Sequence, residues 1–171
     1  SATLHLGDVR DCLRRMKTRS VHAVVTSPPY WGLRVYEGGE GQIGQEETAD
    51  CLGWATGKRC EECFTCHLVQ VFSEVRRVLR DDGTCWLNLG DTFNCGQAMV
   101  PAAVAMALRA NGWKLVQELV WSAPNKLPES VENRCSRASE RLYILAKGDD
   151  YYFDHDAIRG DTSNKRDVWT I

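Results

Sequence analysis

Residues Thr26-Ser27-Pro28-Pro29-Tyr30-Trp31 follow directly on the apolar run Val21-His22-Ala23-Val24-Val25. A strand over that run delivers a hydroxyl, two prolines and two aromatic rings at its C-terminal end. In an open α/β sheet that is where ligands bind. Consecutive prolines offer no N–H donor and hold the backbone extended. Their carbonyls and the Ser27 hydroxyl can accept hydrogen bonds from a substrate amino group, and Tyr30 offers a flat face to a planar ring. The set suits the gripping of an exocyclic NH2 on a nucleobase. Standing alone, it is better read as a plain turn after a strand.

A second group of reactive side chains lies further along. Cys51, Cys60, Cys63 and Cys66 follow the spacing C-x8-C-x2-C-x2-C. A C-x2-C turn aims two sulfurs at one point, and four thiolates complete a tetrahedral metal site. Eight cysteines are many for this length, and in a reducing compartment a cluster points to metal rather than disulfides. Structural zinc is the first reading; an iron–sulfur cluster also accepts closely spaced cysteines, and free loop thiols are the bland alternative. His67 adjoins Cys66, which makes simultaneous ligation awkward. The other cysteines, Cys12, Cys85, Cys95 and Cys135, are scattered, and Cys85 reads as a small core residue within an apolar run.

Periodicity and punctuation supply the elements that position these groups. Residues 3–6 read as a short strand ending at Gly7-Asp8, and 9–16 as a short helix. Residues 21–26 form the strand that feeds the Pro-Pro turn, and the Gly- and Glu-rich stretch 37–47 is a loop. Leu68, Val71, Phe72, Val75, Val78 and Leu79 make a helical stripe, ended by Asp81-Asp82-Gly83. Residues 84–89 are a strand with Asn88 and Asp91 at its end. Residues 100–111 are an Ala-rich helix opened by a proline and closed by Asn111-Gly112. Residues 115–122 are a strand stopped by Pro124, and 141–147 and 151–154 are two strands of a hairpin around Gly148-Asp149-Asp150. This order implies an α/β architecture with a mostly parallel sheet and a terminal antiparallel hairpin. One domain is expected over residues 1–171, with a Cys-rich insert at about 48–67.

The formal charge of −2 gives no global basic field. Local patches can still bind nucleic acid. The candidates are Arg14, Arg15, Lys17 and Arg19; Arg134, Arg137 and Arg141; Lys165-Arg166; and Lys58 and Arg59 in the insert. Solvated surface is the competing reading for each. No apolar run is long enough to span a membrane, and no signal peptide precedes Leu4. A cytoplasmic protein of bacterial or phage origin, with no membrane partner, is expected.

The hexapeptide resembles motif IV, the (Ser/Asp/Asn)-Pro-Pro-(Tyr/Phe/Trp) signature of amino-methylating DNA methyltransferases. The order of the remaining stretches is similar to the permuted (β-class) branch. They are Leu6-Gly7-Asp8, Ser27 to Arg34, Phe72 to Gly83, Trp86 to Asp91, Val120-Trp121 through Asn125 to Pro128, Tyr151 to Asp154, and Asn164 to Trp169. The resemblance implies a Rossmann-like class I methyltransferase sheet of seven strands, S-adenosylmethionine as methyl donor and DNA as partner. It also implies base flipping, because a paired base cannot present its amino group to a pocket. Ser27, Pro28, Pro29 and Tyr30 take the catalytic roles, with Ser27 and the Pro28 carbonyl on the NH2 and Tyr30 stacked on the base. Asp8, Thr26 and Ser27 fall at cofactor positions, although Asp8 fits a helix N-cap equally well. Trp31, Asn88, Asp91, Trp121 and Asn125 fall at base or pocket positions; Asn88 and Asp91 fit turn caps too, and Trp121 fits the core. Ser at the first motif position favours cytosine N4 over adenine N6, and no Pro-Cys dipeptide is present for cytosine-C5 chemistry. Restriction–modification or phage self-protection is the implied setting.

The chain departs from that family in two respects. The Cys-rich insert lies outside the family pattern. The Phe-x-Gly-x-Gly cofactor loop, expected after residue 171 in the permuted order, does not occur in these residues. The expectation is therefore a sheet lacking its C-terminal cofactor-loop portion, which a longer chain or a second polypeptide would supply. The rival from another class is a non-catalytic, zinc-stapled DNA-binding or partner module.

Overall fold

The computed structural model describes residues 2–36, 41–93, 96–127, 129–159 and 165–170. Cys95, Pro128 and Asn164, named above, lie outside the described residues, as do 37–40 and 160–163.

Helix α1 (Val9–Arg15) precedes strand β1 (Val21–Thr26). A short helix α2 (Gly53–Thr56) and a long helix α3 (Phe64–Val78) lead into strand β2 (Leu79–Leu89). Helix α4 (Val100–Ala110) and strand β3 (Lys114–Ser122) follow. Strand β4 (Ser139–Ala146), a single-turn helix α5 (His155–Ile158) and a short strand β5 (Val168–Thr170) complete the order. The sheet runs β1-β2-β4-β3-β5. Strand β1 is parallel to β2, and β3 to β5, while β4 is antiparallel to both its neighbours.

The core lies where α3 and α4 cover one face of the sheet. Phe64, Leu68, Phe72 and Val75 of α3 meet Val104 and Leu108 of α4 and Leu87, Leu89 and Leu145 of the sheet, all buried. Truncating one of these leucines to alanine would cost about 2–5 kcal/mol through lost transfer and the cavity left behind. The end of α1 is tied to α3 by Arg77, whose guanidinium donates to the carbonyls of Leu13 (2.7 Å) and Met16 (3.0 Å). Those are carbonyls that a helix C-terminus leaves without partners.

The structure corrects the sequence reading at four places. Residues 3–6 are not a strand: they pair with none of the described strands, and Leu4 and Leu6 are 94% and 95% exposed. The hairpin over 148–150 does not form, because β4 already has β2 on one side and β3 on the other and leaves no free edge. Instead Phe153 stacks on Trp86 on the far face of the sheet, at a centroid distance of 6.4 Å. The sheet is mixed rather than mostly parallel, its antiparallel strand inserted between β2 and β3. Helix α3 starts at Phe64, a turn before Leu68, so Cys66 and His67 stand on a helix rather than in the insert loop.

Candidate functional site

The Pro-Pro turn leaves β1 at the rim where β1 and β2 both end. Tyr30 swings back over that rim and its hydroxyl becomes the hub of a polar network. Ser27 Oγ donates to Tyr30 Oη (3.1 Å), and Asn88 Nδ2 donates to it from the end of β2 (2.9 Å). Tyr30 Oη in turn donates to Glu140 Oε2 (2.8 Å), which also accepts from Asn88 Nδ2 (2.9 Å). Lys126 Nζ reaches the other carboxylate oxygen at 3.3 Å.

The electrostatics of the pair follow from this arrangement. Burial pushes the Tyr30 phenol up to about 12, with the hydrogen bond to Glu140 adding in the same direction. Burial opposes ionisation of Glu140 too. Hydrogen bonds from Asn88 and Tyr30 and the Lys126 charge outweigh it and hold the carboxyl below its usual range. The result is a neutral phenol donating to a carboxylate. With the Ser27 proton directed at Tyr30, the lone pairs of Ser27 Oγ are left free to accept from a ligand.

Glycines fix the ring. A Cβ on Gly90 would lie 2.5 Å from Tyr30 Cε2, so only glycine lets the ring settle against the end of β2. Gly44, at φ +102°, closes the turn from the other side: its carbonyl accepts from Gly32 N–H at 2.8 Å, and a Cβ there would press on the Tyr30 carbonyl at 3.1 Å.

A cavity of about 610 Å³ opens beside this network, lined by Ser27, Pro28, Tyr30, Leu33, Arg34, Tyr36, Asn88, Gly90, Asp91, Trp121, Lys126, Arg137 and Glu140. Volume and mixed polarity suit a small planar ligand. Two polar atoms of its lining residues, Asn88 Oδ1 and Trp121 Nε1, are buried and have no hydrogen-bond partner among the described residues. Such atoms are costly unless a ligand or water satisfies them.

Of the residues expected at the site, the structure gathers Ser27, Pro28, Tyr30, Asn88, Asp91 and Trp121 around this cavity. Asp91 is also structural: its carboxylate accepts from Met99 N (3.2 Å) and Val100 N (2.9 Å) and so caps α4. The remaining expected residues stand elsewhere. Trp31 turns away from the cavity, packs against the core and donates its indole N–H to the Glu46 carbonyl (2.8 Å). Pro29 lies against Gly44. Asn125 is exposed, and its neighbour Lys126 takes the lining position. Thr26 ends β1, paired with Leu87, outside the lining. Asp8 caps α1 and gives both carboxylate oxygens to Arg10, at 2.8 Å from its N–H and 2.7 Å from its Nη2. The Arg10 hydrogen bond outweighs burial and lowers the Asp8 carboxyl to about 2.

Glu140, Gly90, Leu33, Arg34, Tyr36 and Lys126, none singled out as pocket residues, complete the cavity with Arg137 of the expected basic patch. The missing signal for Glu140 was strand direction. Because β4 runs antiparallel, its start lies on the rim where the parallel strands end, and register pairs Glu140 with Trp121. The basic patches expected from the sequence are largely paired. Arg14 binds Asp11, Arg19 binds Asp81, and Arg141 binds Glu118. Arg134 and Arg137 share Glu129 and lie over the Phe93 ring at 3.8 and 5.0 Å.

The four clustered cysteines also converge. Their sulfurs all lie within 4.8 Å of one another. Cys51 Sγ is 3.6 Å and Cys60 Sγ 4.0 Å from Cys66 Sγ. These thiols are not joined by disulfides. His67 is turned away from them, its Nδ1 2.8 Å from Glu46 Oε1.

Comparison with known proteins adds a family. The model of the DNA methylase family, N6 and N4 type, matches residues 21–168. The type II methyltransferase M.Cfr9I of Citrobacter freundii is 38% identical over 99% of this chain and 64% of its own length. M.SmaI of Serratia marcescens is 35% identical over 100% of this chain and 67% of its own. The chain thus spans about two thirds of the length of these curated relatives. Among solved structures, the cytosine-N4-specific PvuII DNA methyltransferase superposes with a TM-score of 0.74 at 18% identity, over 98% of this chain and 56% of that one. A DNA modification methylase of Thermus thermophilus, TTHA0409, gives 0.62 at 22% identity, over 97% and 66%. Both likenesses are of fold.

Proposed function

The chain belongs to the N6/N4 DNA methylase family, and on that premise we propose that it forms the base-gripping part of a DNA amino-methyltransferase that favours cytosine N4. The observation that carries the reading is the network of Ser27, Tyr30, Asn88 and Glu140 on one wall of the rim cavity. A flipped base enters beside Tyr30, with its amino hydrogens on Ser27 Oγ and the Pro28 carbonyl. Accepting both hydrogens draws the amino nitrogen out of conjugation and exposes its lone pair. Positioning of this kind supplies most of the rate. As the methylated nitrogen sheds its proton, Ser27 Oγ takes it and passes its own to Tyr30, which passes its own to Glu140. The shift is concerted, so neither hydroxyl becomes charged.

S-adenosylmethionine, the donor the family implies, supplies an electrophilic methyl group when bound. The described residues do not assemble its site. Asp8 is committed to Arg10 and the cap of α1, and the cavity carboxylates Asp91 and Glu140 already have partners.

The Ser at the first motif position favours cytosine within the family pattern. Adenine N6 is the second reading, since its amino group can make the same two hydrogen bonds. The test is transfer of labelled methyl from S-adenosylmethionine to DNA by this chain combined with a segment or second chain that supplies the cofactor site, and by the same assembly carrying Ser27→Ala. We expect label in DNA that falls roughly tenfold or more in the variant, with the fold unchanged. Equal transfer by both would overturn the assignment of Ser27.

A further inference from the structure

The geometry points to a zinc ion held by Cys51, Cys60, Cys63 and Cys66, serving as a clasp that fixes the insert beneath the Pro-Pro-Tyr-Trp turn. Zinc–sulfur bonds of about 2.3 Å in a tetrahedron place the sulfurs about 3.8 Å apart. The two sulfur separations of 3.6 and 4.0 Å bracket that value, and all four sulfurs fall within 4.8 Å. An iron–sulfur cluster would hold its thiolates farther apart, because a core of metal and sulfide sits between them. A disulfide would need far closer contact.

The surroundings are those of thiolate ligands. Gly53 N–H donates to Cys51 Sγ and Cys63 N–H to Cys60 Sγ, each at 3.3 Å. Hydrogen bonds of this kind orient metal ligands and stabilise their charge. Cys63 and Cys66 sit at the N-cap and in the first turn of α3, where the helix favours negative charge. The residues after Cys51 and Cys60, Leu52 and Glu61, hold left-handed φ angles of 54° and 66°. Non-glycine residues adopt that conformation at a cost, and here both occurrences directly follow a ligand.

The link to the catalytic turn runs through Glu46. Cys66 and His67 are successive residues of α3, and His67 holds Glu46 Oε1 at 2.8 Å. The Glu46 side chain is only 5% exposed. Its Oε2 accepts from Gly44 N–H at 2.8 Å, and its carbonyl accepts from the Trp31 indole at 2.8 Å. Residues 48 and 49 are stitched to the start of α3 by Phe64 N–H to the Thr48 carbonyl (3.1 Å) and Thr65 N–H to the Ala49 carbonyl (3.0 Å). Metal at the four sulfurs thus holds the start of α3 and the segment that braces Tyr30 and Trp31.

The test begins with metal analysis of the protein purified without added metal. One zinc per chain is expected, replaceable by cobalt with the absorption bands of a tetrahedral tetrathiolate site. Cys60→Ser, at the exposed ligand, should lose the metal while keeping the sheet folded. Four freely titrating thiols without metal, acid-labile sulfide, or a disulfide within the set would overturn the site. Hydrogen exchange before and after chelation reads the clasp: protection at 44–46 and at the Trp31 indole should fall while β2 and β4 stay protected. Unchanged exchange there would overturn the clasp. This last step rests on the catalytic reading of the turn; intact zinc with no methyl transfer by the chain once a segment or second chain supplies the cofactor site would sink that reading and leave the metal site standing.

Discussion

At the rim, Asn88 Oδ1 and Trp121 Nε1 are buried beside a cavity without a protein partner among the described residues, and Ser27 Oγ keeps its lone pairs free. In the insert, by contrast, four sulfurs turn on one another and take N–H bonds from their own loops. Both regions gather polar groups that water would otherwise solvate. One leaves its bonding capacity open towards a ligand that comes and goes, as turnover requires. The other closes its capacity around a fixed centre, as a staple requires. Glu46 lies between them, one carboxylate oxygen on His67 of α3 and the other on Gly44 under Tyr30.

The sharpest way to break this comparison is to exchange the consequences of damage. Cys63→Ser removes a buried sulfur from the cluster and should destabilise the fold by on the order of 4 kcal/mol, as loss of a structural metal does. Thermal unfolding with and without chelator reads this, and an unchanged midpoint would abolish the distinction. Tyr30→Ala should cost less stability than Cys63→Ser and lower methyl transfer on the order of 100-fold, because the base loses its stacking face and Ser27 its partner.

Gly90→Ala tests whether the ring's seat matters. Its Cβ would meet Tyr30 Cε2 at 2.5 Å, so the ring must shift. Methyl transfer should fall by roughly tenfold or more, with a loss of stability smaller than that of Cys63→Ser. A fully active variant would show that the ring is not held by that seat.

Glu140→Gln should cost about tenfold through the lost charged hydrogen bond, and it carries a pH signature. The folded Glu140 carboxyl lies below its usual value. Its contribution is therefore complete above the unfolded carboxyl's pKa and is lost as pH falls through the lower folded value. The parent should lose activity and some stability only in that acid range, and the variant should lack that limb. Asp8→Ala is the mildest change. Loss of the α1 cap should cost about 1 kcal/mol and leave methyl transfer unaltered; a raised KM for S-adenosylmethionine would return Asp8 to the cofactor.

What the sequence made legible was local. Ser27 to Tyr30 could be read as a site because the prolines, the hydroxyl and the ring are consecutive and end an apolar run. The stripe of α3 and the Ala-rich α4 showed in their period, and the cysteine spacing announced convergence. What stayed hidden depends on strand order. Glu140 reaches the rim only because β4 inserts antiparallel between β2 and β3, and that same insertion denies 151–154 a place in the sheet. Gly90 carries no signal of its own until Tyr30 is seen lying against it. Asp8 illustrates the reverse case: a motif position that the local helix claims for its own cap.

The central claim is that the rim cavity grips an exocyclic amino group. The most direct measurement is to combine this chain with a segment or second chain that supplies the cofactor site, incubate the assembly with labelled S-adenosylmethionine and unmodified DNA, digest the DNA to nucleosides and identify the labelled one by mass spectrometry. The account predicts N4-methylcytosine, with N6-methyladenine transferring the same geometry to the other base. Label on cytosine C5, or methyl transfer that is indifferent to the loss of Tyr30, would contradict it.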